Sequence, residues 1–175
     1  MSRGAIIMSF FASLFVALTL AWQYHFSGPV LIAPFAVFAG IASAALYVLS
    51  RPGSGTALSA KAKRTLILAS SAEGIGIYVA IGIVLNLHRP DWRLPAMALI
   101  VGLHFLPLAQ AFKFRPYWIL GSVLIAVGLL GFVLPGPLGG ALAGMVAAVC
   151  LWGTALFAVF QDWKKTVERR VVGVC

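Results

Sequence analysis

Glu73 and His104 are the residues of this chain whose types and positions could do chemistry together. Glu73 is the only acid inside a predicted span, eight residues in from Thr65. At helical rise that is ~12 Å deep. A charged carboxylate in hydrocarbon costs at least ~2.5 kcal/mol, so this one must be protonated, paired or facing a watery cavity. His104 lies eight residues from Phe112 at the end of the next apolar run. If the two runs are antiparallel helices, acid and imidazole reach similar depth. Pro107 follows three residues after His104 and cannot donate to the Leu103 carbonyl, which leaves a free acceptor near the ring. Gln110 adds a polar group nearer the end of that helix. Such a set can bind a proton, a cation or a small polar substrate, or it can simply bond two helices together.

Other chemistry finds little support. There is no His-Glu-x-x-His, Cys-x-x-Cys or Gly-x-Ser-x-Gly pattern, and Gly53-Ser54-Gly55-Thr56 lacks the lysine of a phosphate loop. No catalytic residue is therefore assigned, and an enzyme is the less favoured reading. His25 and His88 stand at helix ends without ligand-spaced companions, so they read as interfacial residues, and no metal or cofactor is expected. Arg89, Asp91 and Arg93 read as a solvated rim, with an anion-attracting vestibule as the sharper alternative. Cys150 lies within an apolar run and Cys175 is the last residue, which fits neither a disulfide framework nor a prenylation box.

The elements that must position Glu73 and His104 are set by composition. Of 175 residues, 62% are hydrophobic and 10% charged, and mean hydropathy is +1.02, so the bilayer is the solvent. The fold expected is an all-α polytopic membrane bundle forming a single domain over 1–175. Six windows about 20 residues long can span: about 4–24, 30–49, 65–87, 94–112, 117–134 and 138–160. Pro135-Gly136-Pro137 divides the last two. The first window, with Arg3 ahead of it, reads as a signal anchor rather than a cleaved leader.

Alternate gaps between the windows differ sharply in charge. One side collects eleven Lys and Arg, from Arg3 through the Arg51–Arg64 linker and Lys113–Arg115 to the segment after 160, whereas the other receives only Arg89 and Arg93. The positive-inside rule then puts both termini in the cytoplasm, in a plasma or bacterial inner membrane. Trp22, Tyr24, Trp92, Tyr117, Trp118 and Trp163 agree with an interfacial aromatic belt. The net charge of +9 is explained by this topology, and no segment offers a nucleic-acid-reading element. In the tail 161–175, Trp163, Val167 and Val171 oppose Lys164, Lys165 and Arg169, which predicts a short helix on anionic headgroups.

Small residues share the Glu73 face, namely Ala69, Gly76 and Ala80, and would let a neighbouring helix come close. Gly140, Gly144 and Ala148 form a second such stripe, read as internal packing. The leading functional expectation is a small proton-linked transporter or permease with Glu73 and His104 as its proton- or substrate-binding pair and Gln110 lining the path. Its partners would be membrane lipids, including anionic headgroups, a small-molecule or ion substrate, and a second copy that helps enclose the path. The rivals are a membrane scaffold or regulatory subunit, and an intramembrane enzyme or redox protein acting on a lipid or quinone.

Overall fold

The computed structural model describes residues 2–51 and 59–172, with side chains through residue 168. It is all-helical, with α1 (Ser2–Gln23), α2 (Pro34–Leu49), α3 (Ala60–Asn86), α4 (Arg93–Phe112), α5 (Arg115–Val133) and α6 (Leu138–Val172). Short 3-10 turns at Gly28–Leu31 and Pro90–Trp92 lead into α2 and α4. Six segments are long and apolar enough to cross a membrane, the second and fourth counted with their leading turns as Gly28–Leu49 and Pro90–Phe112. In lipid only intrahelical bonding satisfies the backbone, which is why nearly every apolar run is helical from end to end.

Four of the helices make the core. α1 packs along α6 and α4 along α5, while α5 and α4 also meet α6. α2 lies outside on α1 and α6; α3 lies outside chiefly on α4. The tightest seam is α4–α5, where backbone meets backbone. A Cβ added at Gly102 would stand 2.8 Å from the Ile125 nitrogen and 2.9 Å from the Gly121 carbonyl oxygen. Only glycine allows that approach, and in lipid, where apolar attraction between helices is absent, close contact of this kind drives packing. The Gly140–Ala148 stripe serves α1–α6 in the same way: Gly140 faces Gln23, Gly144 faces Thr19, and Ala148 is fully buried.

Hydroxyls on α1 bond both within the helix and to its neighbours. The Ser13 Oγ donates to the Pro34 carbonyl at 2.9 Å, fastening the start of α2, and the Thr19 Oγ donates to the Phe15 carbonyl at 2.7 Å. At the first turn of α1, the Ser2 backbone N–H and hydroxyl both donate to Asp162 Oδ2 of α6, at 2.7 and 2.8 Å. A carboxylate there answers an orphan helix N–H and the positive end of the helix dipole. It also ties the start of α1 to the far part of α6, so both ends of the described chain lie at one end of the bundle.

Several boundaries differ from the sequence reading. α3 starts at Ala60 because the Ser59 hydroxyl caps it, accepting from the Ala62 N–H at 3.2 Å, so Lys61, Lys63 and Arg64 are helical rather than part of a linker. α4, by contrast, keeps the expected extent and runs unbroken through Pro107. The separate short helix expected from residue 161 is not formed: α6 continues to Val172 as one helix. No proline or glycine follows Gly153 within it, and the Asp162–Ser2 contact holds that stretch against α1. The Gly53–Thr56 stretch and Cys175 lie outside the described residues, as do the side chains of Arg169, Arg170 and Val171.

His25 and His88 adopt left-handed backbone conformations, with φ of 55° and 52°. They stand just beyond the C-terminal ends of α1 and α3, where the Phe26 N–H reaches back to the Leu20 carbonyl and the Arg89 N–H to Val84. Histidine tolerates this region better than most residues with a side chain, so both have a structural role as helix terminators.

Candidate functional site: an acid and an imidazole between α3 and α4

Glu73 lies near the middle of α3, and His104 just past the middle of the antiparallel α4. The fold brings them face to face across the α3–α4 seam, with His104 Nδ1 3.5 Å from Glu73 Oε2. Their side chains are 8% and 13% exposed respectively. The sequence positions this contact in two ways. Small residues on α3 admit α4 closely: Ala69 is buried, and a Cβ at Gly76 would already be 3.1 Å from Ile100 of α4. Opposed helix directions then equalise the depth of the two groups.

A separation of 3.5 Å is within ion-pair range but too long for a good N–H···O bond. His104 Nδ1 is buried and has no hydrogen-bond partner among the described residues. A buried polar atom left in that state costs about 1–3 kcal/mol, so the pair is poised close to a hydrogen bond without completing one. Chemically, a carboxyl and an imidazole at this distance can share one proton, pass it between them or bind a small cation. On the adjoining face of α3, a Cβ at Gly74 would meet nothing within 4 Å, so no other helix packs against α3 there.

Gln110 is not part of the arrangement. It is exposed, and six residues beyond His104 carry it about 240° around α4. Among the described residues no group of three or more His, Cys, Asp and Glu side chains could hold a metal ion. The described molecule has a cavity of about 380 Å³ at the opposite end of the bundle from the termini, and neither Glu73 nor His104 lines it. Its lining brings Gln23, Asp91 and Arg93 together, which the sequence reading did not foresee for Gln23. The signal available was that the gaps after Gln23, before Arg93 and at 135–137 all fall on one side.

The helices and the polar pair define the class: a small multi-pass helical protein of membrane type, carrying an acid–imidazole contact between two of its spans. The chain belongs to the family described as Family of unknown function (DUF7010), whose model matches residues 66–162 and so takes in both Glu73 and His104. No curated protein and no solved structure matches the chain.

Proposed function

We propose that the protein is a small proton-linked transporter or permease in which Glu73 and His104 bind and release the coupling proton. The observation that carries this reading is the incomplete pairing at 3.5 Å with a buried, unpartnered Nδ1. A pair selected only to lock two helices gains most when both partners are satisfied. A pair that must load and unload a proton gains from staying one small movement away. α3 is suited to that movement because it is held chiefly by α4, whereas α4 is itself fixed against α5 and α6. The asymmetry of basic residues supports an orientation with both termini in the cytoplasm of a plasma or bacterial inner membrane, and with Lys61, Lys63 and Arg64 among anionic headgroups. A second copy seated on the outward face of α3, where Ile75 and Tyr78 are exposed, would enclose the pair from lipid.

One observation favours a scaffold or regulatory subunit instead: the cavity of about 380 Å³ lies elsewhere and does not include the pair. Proton flux separates the two readings. Purified protein is reconstituted into liposomes containing a pH-sensitive dye, and a panel of small acids, amines and zwitterions is added outside. Transport predicts that some compound triggers proton movement in the wild type and not in Glu73→Gln, with thermal stability retained. The scaffold reading predicts no triggered flux in either, and a fall in stability for Glu73→Gln.

A further inference from the structure

The cavity away from the termini gathers residues from three places in the chain. Trp22 and Gln23 come from the end of α1 and His25 from just beyond it; Asp91 comes from the 3-10 turn before α4 and Arg93 from the first position of α4; Gly136 and Pro137 come from the α5–α6 turn. Its volume, about 380 Å³, lies at the small end of the range for ligand sites.

Opposite charges face this space without cancelling each other. Among the described residues Asp91 and Arg93 make no salt bridge. Different neighbours hold them apart. The Asp91 carboxyl lies against Gly136, where any Cβ would collide with it, and the Arg93 guanidinium lies over the Trp22 ring at 5.3 Å from its centroid. Stacking leaves the edge of the guanidinium, with its N–H donors, free for an anion. A third group is in want of a partner. Gln23 is only 6% exposed, and its Oε1 is buried with no hydrogen bond among the described residues. An acceptor left so is costly, and a ligand N–H is the missing donor.

We propose that this cavity binds a zwitterion of the phosphoethanolamine class, its phosphate held by Arg93 and its ammonium by Asp91 and Gln23. A simple anion would meet the Asp91 carboxylate, and a simple cation the Arg93 guanidinium, so each leaves one charge opposed. Two acceptors beside the ammonium position require N–H donors, which a primary ammonium has and a trimethylammonium lacks. The same chemistry comes from two sources, a phosphatidylethanolamine headgroup at the membrane surface or a soluble phosphoethanolamine. No residue of this cavity belongs to the Glu73–His104 pair, so either idea can fail without the other.

The test uses the full chain in two arms. Calorimetric titration in phosphatidylglycerol nanodiscs compares O-phosphoethanolamine, phosphocholine and inorganic phosphate. Native mass spectrometry, after release from an equal mixture of phosphatidylethanolamine, phosphatidylcholine and phosphatidylglycerol, reads which lipid is retained. The expected result is about tenfold preference for the ethanolamine compound over the choline one in at least one arm, equal to ~1.4 kcal/mol. Preference in the soluble arm assigns a free zwitterion, and preference confined to the lipid arm assigns a headgroup. Asp91→Asn should erase the preference, Arg93→Gln should weaken both phosphate compounds, and Arg93→Lys should keep part of the binding. Absence of preference in both arms for the wild-type chain overturns the proposal, whatever the variants do. So does full preference in a folded Asp91→Asn.

Discussion

A carboxyl and an imidazole that face each other between two helices are a single unit as far as protons are concerned. Losing one member leaves the other buried alone, whereas losing both removes the polar problem altogether. His104→Leu is therefore expected to destabilise the protein by about 1–3 kcal/mol, and the double change Glu73→Leu with His104→Leu to recover most of that loss. Unfolding in mixed micelles measures both. If the double variant is as unstable as the sum of the singles, the two groups do not interact energetically. The matching depth was legible in the sequence because depth is simple arithmetic in a helix: a lone acid and a lone histidine at equal distance from the same membrane surface. Whether they face each other was not legible, since rotation about each axis depends on packing. Gln110 shows the limit, because it shares the helix of His104 but lies on another side of it.

At the level of elements, the molecule combines a stiff pair with a loosely held one. α4 and α5 touch backbone to backbone around Gly102 and Gly121, so there is no slack to absorb a methyl group. Gly102→Ala is expected to cost about 1–3 kcal/mol by forcing the helices apart. Gly74→Ala on the open side of α3 should be neutral or stabilising by up to about 1 kcal/mol, since alanine is the better helix former and meets nothing. The same micelle unfolding assay ranks the two, and equal losses would remove the contrast between a rigid α4–α5 and a lightly packed α3. Helix number and type followed from apolar run length. Helix ends did not, because they are set by local caps and contacts. The Ser59 hydroxyl extends α3 backwards, and the clasp of Asp162 on Ser2 accompanies the continuation of α6 where a separate surface helix was expected.

Across the whole molecule, the two ends of the bundle have different characters. One end holds the Ser2–Asp162 clasp and the basic start of α3; the other holds the cavity between Asp91 and Arg93. The proposed orientation, from the positive-inside argument, predicts that the first end is cytoplasmic, which a labelling experiment checks. Ser27→Cys should react with a membrane-impermeant maleimide in intact cells, and Lys113→Cys only after permeabilisation; the reverse pattern would invert the topology. Membership of the bundle was readable from the sequence, but neighbour pairs were not. In lipid every helix surface is apolar, so hydropathy does not mark the faces that meet, and the α1–α6 and α4–α5 pairings are decided by small residues and shape. The account turns on a proton at Glu73. Infrared difference spectra of the lipid-reconstituted protein, stepped between about pH 5 and pH 9, read the protonated carboxyl directly. The account predicts a reversible carboxyl signal that disappears in Glu73→Gln and moves in pH when His104 is replaced by Leu. A carboxyl that never titrates in that window, or a signal unchanged by Glu73→Gln, would contradict it.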